Sequence, residues 1–353
     1  MMAGKLSPWK KRLRLVGSYF VGRPLWCAWQ ATYRCNFRCS FCNYWQEPVR
    51  AADEQTLEDI RRGSANLARI GSLLISVAGG EPLIRADLPQ MVAALAEHHF
   101  PLITTNGWLA TRDLARTLYR FGLWGVSVSL DYADPERHDR QRGVKGAFDR
   151  AVRALRIFSE ERTARWQRVN IMAVLNHENL DDMEPLIQLA LEHNAWFMVQ
   201  PYSRRKTGDR RFIHPVGAGE RLLALRRKYP NFLSNPLFLR RFDVAADGGV
   251  PGCLAGKAFF NIDNFGRVAQ CVEDRAHPVG FIQSDPIEAL LARLAERRAQ
   301  TRCQACWYNC RGEIESLYTL SGALNSLPTL LMTSREANPK RGVFRLLGRS
   351  PAR

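Results

Sequence analysis

Between about Pro24 and Pro201 the chain repeats one pattern: a short apolar run, then a longer stretch whose apolar residues recur every three or four positions. The short runs predict strands at Leu25–Thr32, Leu73–Ala78, Leu102–Thr105, Gly125–Leu130, Val169–Leu175 and Trp196–Gln200. The stretches between them predict helices near Thr56–Ile70, Leu88–His98, Thr111–Phe121, Ala147–Phe158 and Leu180–His193. End signals agree with this division: Thr111 can cap its helix, and Gly71 and Gly122 follow last turns. Strands alternating with helices imply a parallel sheet with right-handed crossovers. Both an open doubly wound sheet and a partial barrel satisfy the pattern.

Within the last part of this α/β core (residues 24–215), Ser203 to Arg211 is a very basic connector, and beyond it 216–242 reads as a linker helix region. A cysteine-rich region follows at 243–315. Within it, Asn264-Phe265-Gly266 separates two alternating segments, so a hairpin there returns Cys253 and Cys271 to one end. Residues 1–23 and 316–353 flank these regions, and no internal repeat is visible.

Of the 353 residues, 46% are hydrophobic and 24% charged, an ordinary globular composition. No apolar run is long enough for a membrane span. The basic start is not followed by the apolar core of a signal peptide, so the nine cysteines point to a reducing compartment, the cytoplasm. A net charge of +17 favours polyanions without choosing among them. No nucleic-acid-binding motif accompanies it, so a specific nucleic-acid site is not expected. The cations concentrate with apolar residues at both ends. The stretch from Ser7 to Phe20 holds Lys10, Lys11, Arg12 and Arg14 among Trp9, Leu13, Leu15, Val16 and Tyr19. Near the other end, Val343, Phe344, Leu346 and Leu347 alternate with Lys340, Arg341, Arg345 and Arg349. Such helices either lie on an anionic membrane surface or pack an apolar face on the core.

The candidate chemistry starts at the end of the first strand. Cys35, Cys39 and Cys42 stand in a Cys-x3-Cys-x2-Cys run, close enough for three thiolates to hold three irons of a 4Fe-4S cube and leave the fourth open. Three buried free cysteines are the structural alternative. Gly79-Gly80-Glu81-Pro82 ends the second strand, Thr104-Thr105-Asn106-Gly107 the third and Ser129-Leu130-Asp131 the fourth; His138-Asp139-Arg140-Gln141-Arg142-Gly143 comes next. In this order and at these strand ends, the segments resemble the motifs of the radical S-adenosylmethionine (SAM) enzymes, over roughly residues 25–205. The resemblance implies a partial (β/α)6 TIM-type barrel and a SAM bound through its amino and carboxylate groups to the open iron. It also implies contacts of Gly79, Gly80 and Glu81 with the SAM amino group and of Ser129 with its ribose. Arg142 would meet its carboxylate and Phe41 its adenine, and Asn106 belongs to the same site. One departure is visible: relatives often carry glycine after the aspartate of the fourth segment, and this chain has Tyr132.

The second cysteine set consists of Cys253, Cys271, Cys303, Cys306 and Cys310. Cys303-x2-Cys306 followed by Cys310 would in isolation also suit zinc. Together with Gly266-x4-Cys271, the arrangement resembles the SPASM/Twitch branch, in its shorter form with one auxiliary 4Fe-4S cluster. Cys253, Cys271, Cys303 and Cys306 are the first choice of ligands, with Cys310 as a substitute for one of them. Cys27, inside a strand, reads as core. The implied activity is reductive SAM cleavage to a 5′-deoxyadenosyl radical that takes hydrogen from a small-molecule or peptide substrate. A one-electron donor such as flavodoxin or ferredoxin is implied, and the auxiliary cluster would assist oxidation or bond formation. A lipid- or isoprenoid-linked substrate at the membrane surface is a second enzymatic possibility. An iron–sulfur electron carrier is the non-enzymatic one, for which an intact SAM motif set would have no use.

Overall fold

In the computed structural model, residues 6–247 and 249–325 are described; Val343, Phe344, Leu346, Leu347 and the cations between them lie outside this range. Six strands supply the wall on which everything else is hung: β1 (Trp26–Thr32), β2 (Leu74–Gly79), β3 (Phe100–Thr105), β4 (Gly125–Ser129), β5 (Arg168–Leu175) and β6 (Trp196–Pro201). The helices between them are α2 (Leu57–Ala68), α3 (Leu88–Ala96), α4 (Arg112–Arg120), α5 (Pro135–Arg142), α6 (Ala147–Glu160) and α7 (Met183–Glu192), with α1 (Pro8–Phe20) ahead of β1. After β6 come α8 (Ala218–Lys228), α9 (Pro236–Arg240) and α10 (Phe242–Asp247). A hairpin of β7 (Phe259–Ile262) and β8 (Arg267–Ala269) follows, then β9 (Gly280–Phe281), α11 (Ile287–Thr301) and α12 (Asn309–Leu317).

The sheet order is β6-β5-β4-β3-β2-β1-β7-β8-β9. β1 to β6 pair parallel with their sequence neighbours, as a partial barrel requires. β7 adds a further parallel strand against β1, and only β8 and β9 are antiparallel. Outward-facing residues such as Val126, Val128, Ile171 and Ala173 are buried under the helices and join one core. Inward positions are smaller and more polar, which leaves the barrel hollow where a full TIM barrel is packed.

Local chemistry explains the ends. Thr56 and Asp59 form a reciprocal capping box at α2, and the Thr111 hydroxyl accepts from the Leu114 amide at α4. β3 begins two residues before the expected Leu102. Its Pro101 turns its carbonyl, which needs no N–H of its own, to the Trp124 amide at 2.8 Å. α5 was not expected as a helix, because it is polar on every side and carries no apolar period. It is set instead by its ends: Asp134 caps it, Pro135 opens it, and Gly143 closes it in the left-handed region at φ 70°.

α1 is the helix expected at the start, but it does not pack its apolar face inward. Trp9, Leu13, Val16 and Phe20 form one stripe that is 52–79% exposed. The opposite face docks. The Lys11 ammonium donates to the carbonyls of Ala96 and His99 at 2.9 and 3.1 Å, and the Ser18 hydroxyl reaches the Ile70 carbonyl at 3.1 Å. No helix among the described residues is long and apolar enough to cross a membrane.

Candidate functional site

The carboxyl ends of β1 to β5 converge on one cavity of about 330 Å3. Cys35, Cys39, Cys42 and Phe41 border it from the loop after β1. Gly79, Gly80 and Glu81 border it from the end of β2, Asn106 from β3, Ser129 from β4 and Arg142 from α5. Every residue expected to touch SAM therefore borders the same cavity as the three cysteines.

Why glycine stands at 79 and 80 is a matter of backbone approach. The Gly80 and Glu81 amides donate to the carbonyls of Thr32 and Arg34 at 2.7 and 2.9 Å, zipping this turn to the start of the cysteine loop. A Cβ at either glycine would lie 2.1 Å from one of those carbonyl oxygens, and Gly79 has φ 120°. Glu81 then ties the turn to the end of β3. Its carboxylate accepts from the Leu83 amide at 2.9 Å, the Thr105 hydroxyl at 2.7 Å and the Asn106 amide at 2.7 Å. Burial pushes its pKa up to about 7 although those donors pull the other way. The Asn106 side chain in turn donates to Asn36 at 2.9 Å, inside the cysteine loop.

Arg142 closes the site from the other side. Its Nε donates to the buried Asp131 carboxylate at 2.8 Å, and its guanidinium lies 5.1 Å from the Phe41 ring centroid. Burial by itself would weaken its charge; Asp131 and Cys39 outweigh burial and raise its pKa. The Ser40 amide donates to the Gln141 carbonyl at 3.1 Å, so the end of α5 and the cysteine loop move as one piece.

Two of the three thiols, Cys35 and Cys39, are unfavourable as bare thiolates. Burial pushes Cys35 up to about 11 and Cys39 up to about 12, with Arg142 only partly offsetting it. Three soft sulfur donors beside one buried cation, none of them in a disulfide, suit a positively charged iron–sulfur core better than water or a proton relay. Among the described residues no three His, Cys, Asp or Glu side chains converge on a single ion. A cube spreads its ligands, one thiolate to each iron.

The second cysteine set sits where the β7–β8 hairpin meets α12. Cys253, Cys271 and Cys310 pack on the same apolar patch as Ala255, Phe259 and Ile314. Cys253, Cys271 and Cys306 all act electrostatically on Cys310, whose thiol burial pushes well above its ordinary range. Cys303 acts on Cys306. Cys310 also borders the barrel cavity, which Cys253, Cys271, Cys303 and Cys306 do not.

Two cations that the sequence did not single out, the buried Arg311 and the half-buried Lys206, hold this region. Arg311 donates to the carbonyls of Val250, Pro251 and Cys306 and pairs with Glu315 at 3.1 Å, clamping the segments that carry Cys253 and Cys306. Lys206 lies 3.8 Å from the Tyr44 ring centroid and 3.0 Å from Glu273, which also accepts from the Tyr308 hydroxyl at 2.8 Å. Lys206 thus bridges the first cysteine loop and the second set. The only sequence hint was the density of cations at 203–211.

The family model described as Radical SAM superfamily matches residues 29–190. Mycofactocin maturase MftC of Mycolicibacterium smegmatis is 29% identical over 323 residues, covering 85% of this chain and 80% of that protein. The AdoMet-dependent heme synthase of Methanosarcina barkeri is 30% identical over 272 residues, 70% of this chain and 76% of that protein. The Fe-coproporphyrin III synthase of the same organism is 36% identical over 165 residues, 46% of this chain, which spans 40% of that protein's length. Among solved structures, Streptococcus suis SuiB bound to precursor peptide SuiA has a TM-score of 0.61 at 19% identity, covering 80% of this chain and 67% of that one.

Proposed function

As this chain belongs to the radical SAM superfamily, we propose that its three strand-end cysteines, Cys35, Cys39 and Cys42, hold the SAM-binding 4Fe-4S cluster of an enzyme that modifies a peptide or a comparable biosynthetic substrate. When bound, the cluster and SAM supply a 5′-deoxyadenosyl radical able to take a hydrogen atom. The chain's own residues do the positioning. Glu81 fixes the turn at Gly79 and Gly80 against the cysteine loop. Asn106 and Ser129 offer polar contacts along the wall, and Phe41 an apolar face. Arg142, held by Asp131, offers a fixed cation to an anionic group in the cavity.

One observation carries this reading. A single cavity runs from Cys35, Cys39 and Cys42 to Cys310, so a substrate inside it can face both cysteine sets. Cys253, Cys271, Cys306 and Cys310 are the better four for the auxiliary 4Fe-4S cluster, with Cys303 outside. In domain terms, 24–215 is the SAM-binding core and 243–315 the auxiliary-cluster region. Peptide chemistry draws support from the maturase relative and from SuiB, whose structure holds a precursor peptide. Reduction calls for a one-electron donor of the flavodoxin or ferredoxin kind, and a +17 surface favours an acidic one.

The test is anaerobic reconstitution with an iron count and an assay for 5′-deoxyadenosine. Wild type should bind about eight irons and the Cys35/Cys39/Cys42→Ala variant about four, with deoxyadenosine formed by wild type alone. Deoxyadenosine from the triple variant would sink the assignment.

A second reading rests on α1. Its exposed Trp9, Leu13, Val16 and Phe20 stripe, flanked by Lys10, Arg12 and Arg14, suits peripheral contact with an anionic bilayer and a lipid-linked substrate there. Full-length protein should pellet with anionic liposomes, and protein lacking residues 1–22 should not. Equal pelleting of both removes the idea.

A further inference from the structure

The cavity continues past the SAM-facing residues to the opposite end of the strands, where inward positions still border it. Down β4 and β5 these are Ser127 and Gly125, and Met172, Asn170 and Arg168. Arg168 is the first residue of β5 and pairs in register with Gly125, the first of β4. A Cβ on Gly125 would lie 3.2 Å from the Arg168 Cβ, so the glycine leaves room for this side chain. The guanidinium lies 4.8 Å from the Trp124 ring centroid and makes no hydrogen bond or ion pair among the described residues. Its Nε is buried and unpartnered.

A cation so placed is costly unless something completes it. Glu313 supports it only through the field and spends its own oxygens on the Asn235 amide at 3.1 Å. Burial draws the Arg168 pKa down to about 10, which leaves it charged at neutral pH. The Trp26 indole N–H is a second buried, unpartnered donor on the cavity wall. The Ser127 hydroxyl accepts from Asn170 at 2.8 Å and keeps its hydrogen for another acceptor. Glu81, at the far end, is the one carboxylate on the cavity lining.

We propose that Arg168 anchors a carboxylate of the substrate at the amino-terminal end of the barrel strands. One guanidinium with neutral N–H and O–H donors matches a planar monoanion, whereas a phosphate dianion would leave one of its two charges without a cation to meet it. Met172, four residues along β5, pairs with Ser129 at the SAM level, about 13 Å away along the strand. The carboxylate is therefore a handle remote from the reacting carbon, and Arg168 sets which acids fit. This rests on the reading of the cavity as the substrate site.

Binding tests it directly. Reconstituted protein with SAM is titrated, without reductant, with 3-phenylpropionate against 3-phenylpropionamide, and with N-acetylphenylalanine against its amide. The first pair represents a side-chain or small-molecule acid, the second a chain terminus. In at least one pair the acid should bind about ten-fold or more tighter than the amide. The tighter pair then identifies the source of the carboxylate. Arg168→Gln should bring that ratio to about one and Arg168→Lys should retain part of it. Acids that bind no better than amides in wild type, absence of binding included, overturn the proposal, as does an undiminished ratio in Arg168→Gln. Deoxyadenosine release from the same wild-type preparation is scored separately: its absence counts against the radical SAM assignment and leaves the acid-to-amide ratio standing.

Discussion

At the residue scale, the site is built from polar groups that each do two tasks. Glu81 fastens the turn after β2 to β3, and it does so while buried, at a pKa of about 7 against an ordinary 4.5. A group whose pKa is higher folded than unfolded contributes stability that is full below about pH 4.5 and lost as the pH rises through about 7. The full effect corresponds to about 3 kcal/mol. We therefore expect the urea stability of iron-free wild type, relative to Glu81→Gln, to fall by that order between about pH 4.5 and about pH 8. A pH-independent difference would mean that Glu81 is ionised without cost. Although alone it is a weak turn signal, the motif at 79–82 was legible in the sequence because it ends the second strand, where a similar motif stands in the radical SAM family. The load on Glu81 was not, because its partners Thr105 and Asn106 come from another strand. Arg168 was illegible for the same reason: an arginine opening a strand reads as a solvent-facing end until the register sets it beside Gly125 inside the barrel.

At the scale of elements, period and end signals located β1 to β6 and α2 to α4, α6 and α7 to within a few residues, since each buries a regular apolar face. What escaped were elements held by other means. α5 has no apolar face and depends on Asp134 and Gly143. α12 is fixed through the buried Arg311, whose partners Val250 and Pro251 lie about sixty residues earlier. That helix bears on the proposed second cysteine set. Placing Asn309 at its first position puts Cys310 in its first turn, toward Cys253, Cys271 and Cys306, while Cys303 stays in the preceding loop. Cys303→Ala should therefore keep about eight irons and Cys310→Ala should fall to about four, read by iron count and by the cluster absorbance. The reverse pattern would restore Cys303 to the ligand set. Cys-x2-Cys-x3-Cys spacing fixes proximity along the chain, but the turn into α12 sets where Cys310 stands relative to the two cysteines before it.

At the scale of the molecule, one sheet carries both cysteine sets. The sequence separates the barrel core from the cysteine-rich region by the linker helix region at 216–242. In the structure β7 lies directly against β1, with Trp26 to Trp29 paired in register with Phe259 to Ile262. Gln30 donates to Asn261 at 3.0 Å across this junction, and Phe260 is buried in the same core as Trp29 and Ile75. The loop with Cys35 leaves the end of β1, and the hairpin bearing Cys271 leaves β7, so the two sites share a base. Removing the Phe260 ring should test that coupling. Phe260→Ala should cost about 3–5 kcal/mol, since a ring-sized void is left in a packed core. It should do so without splitting the unfolding transition of the iron-free protein, measured by tryptophan fluorescence and by far-ultraviolet dichroism. On reconstitution, iron at both sites should decline together, because β1 loses its partner at the strand from which the first cluster loop springs. A variant that lost only the auxiliary iron, or that unfolded in two steps, would show the hairpin to be an appendage on an independent barrel rather than part of its wall.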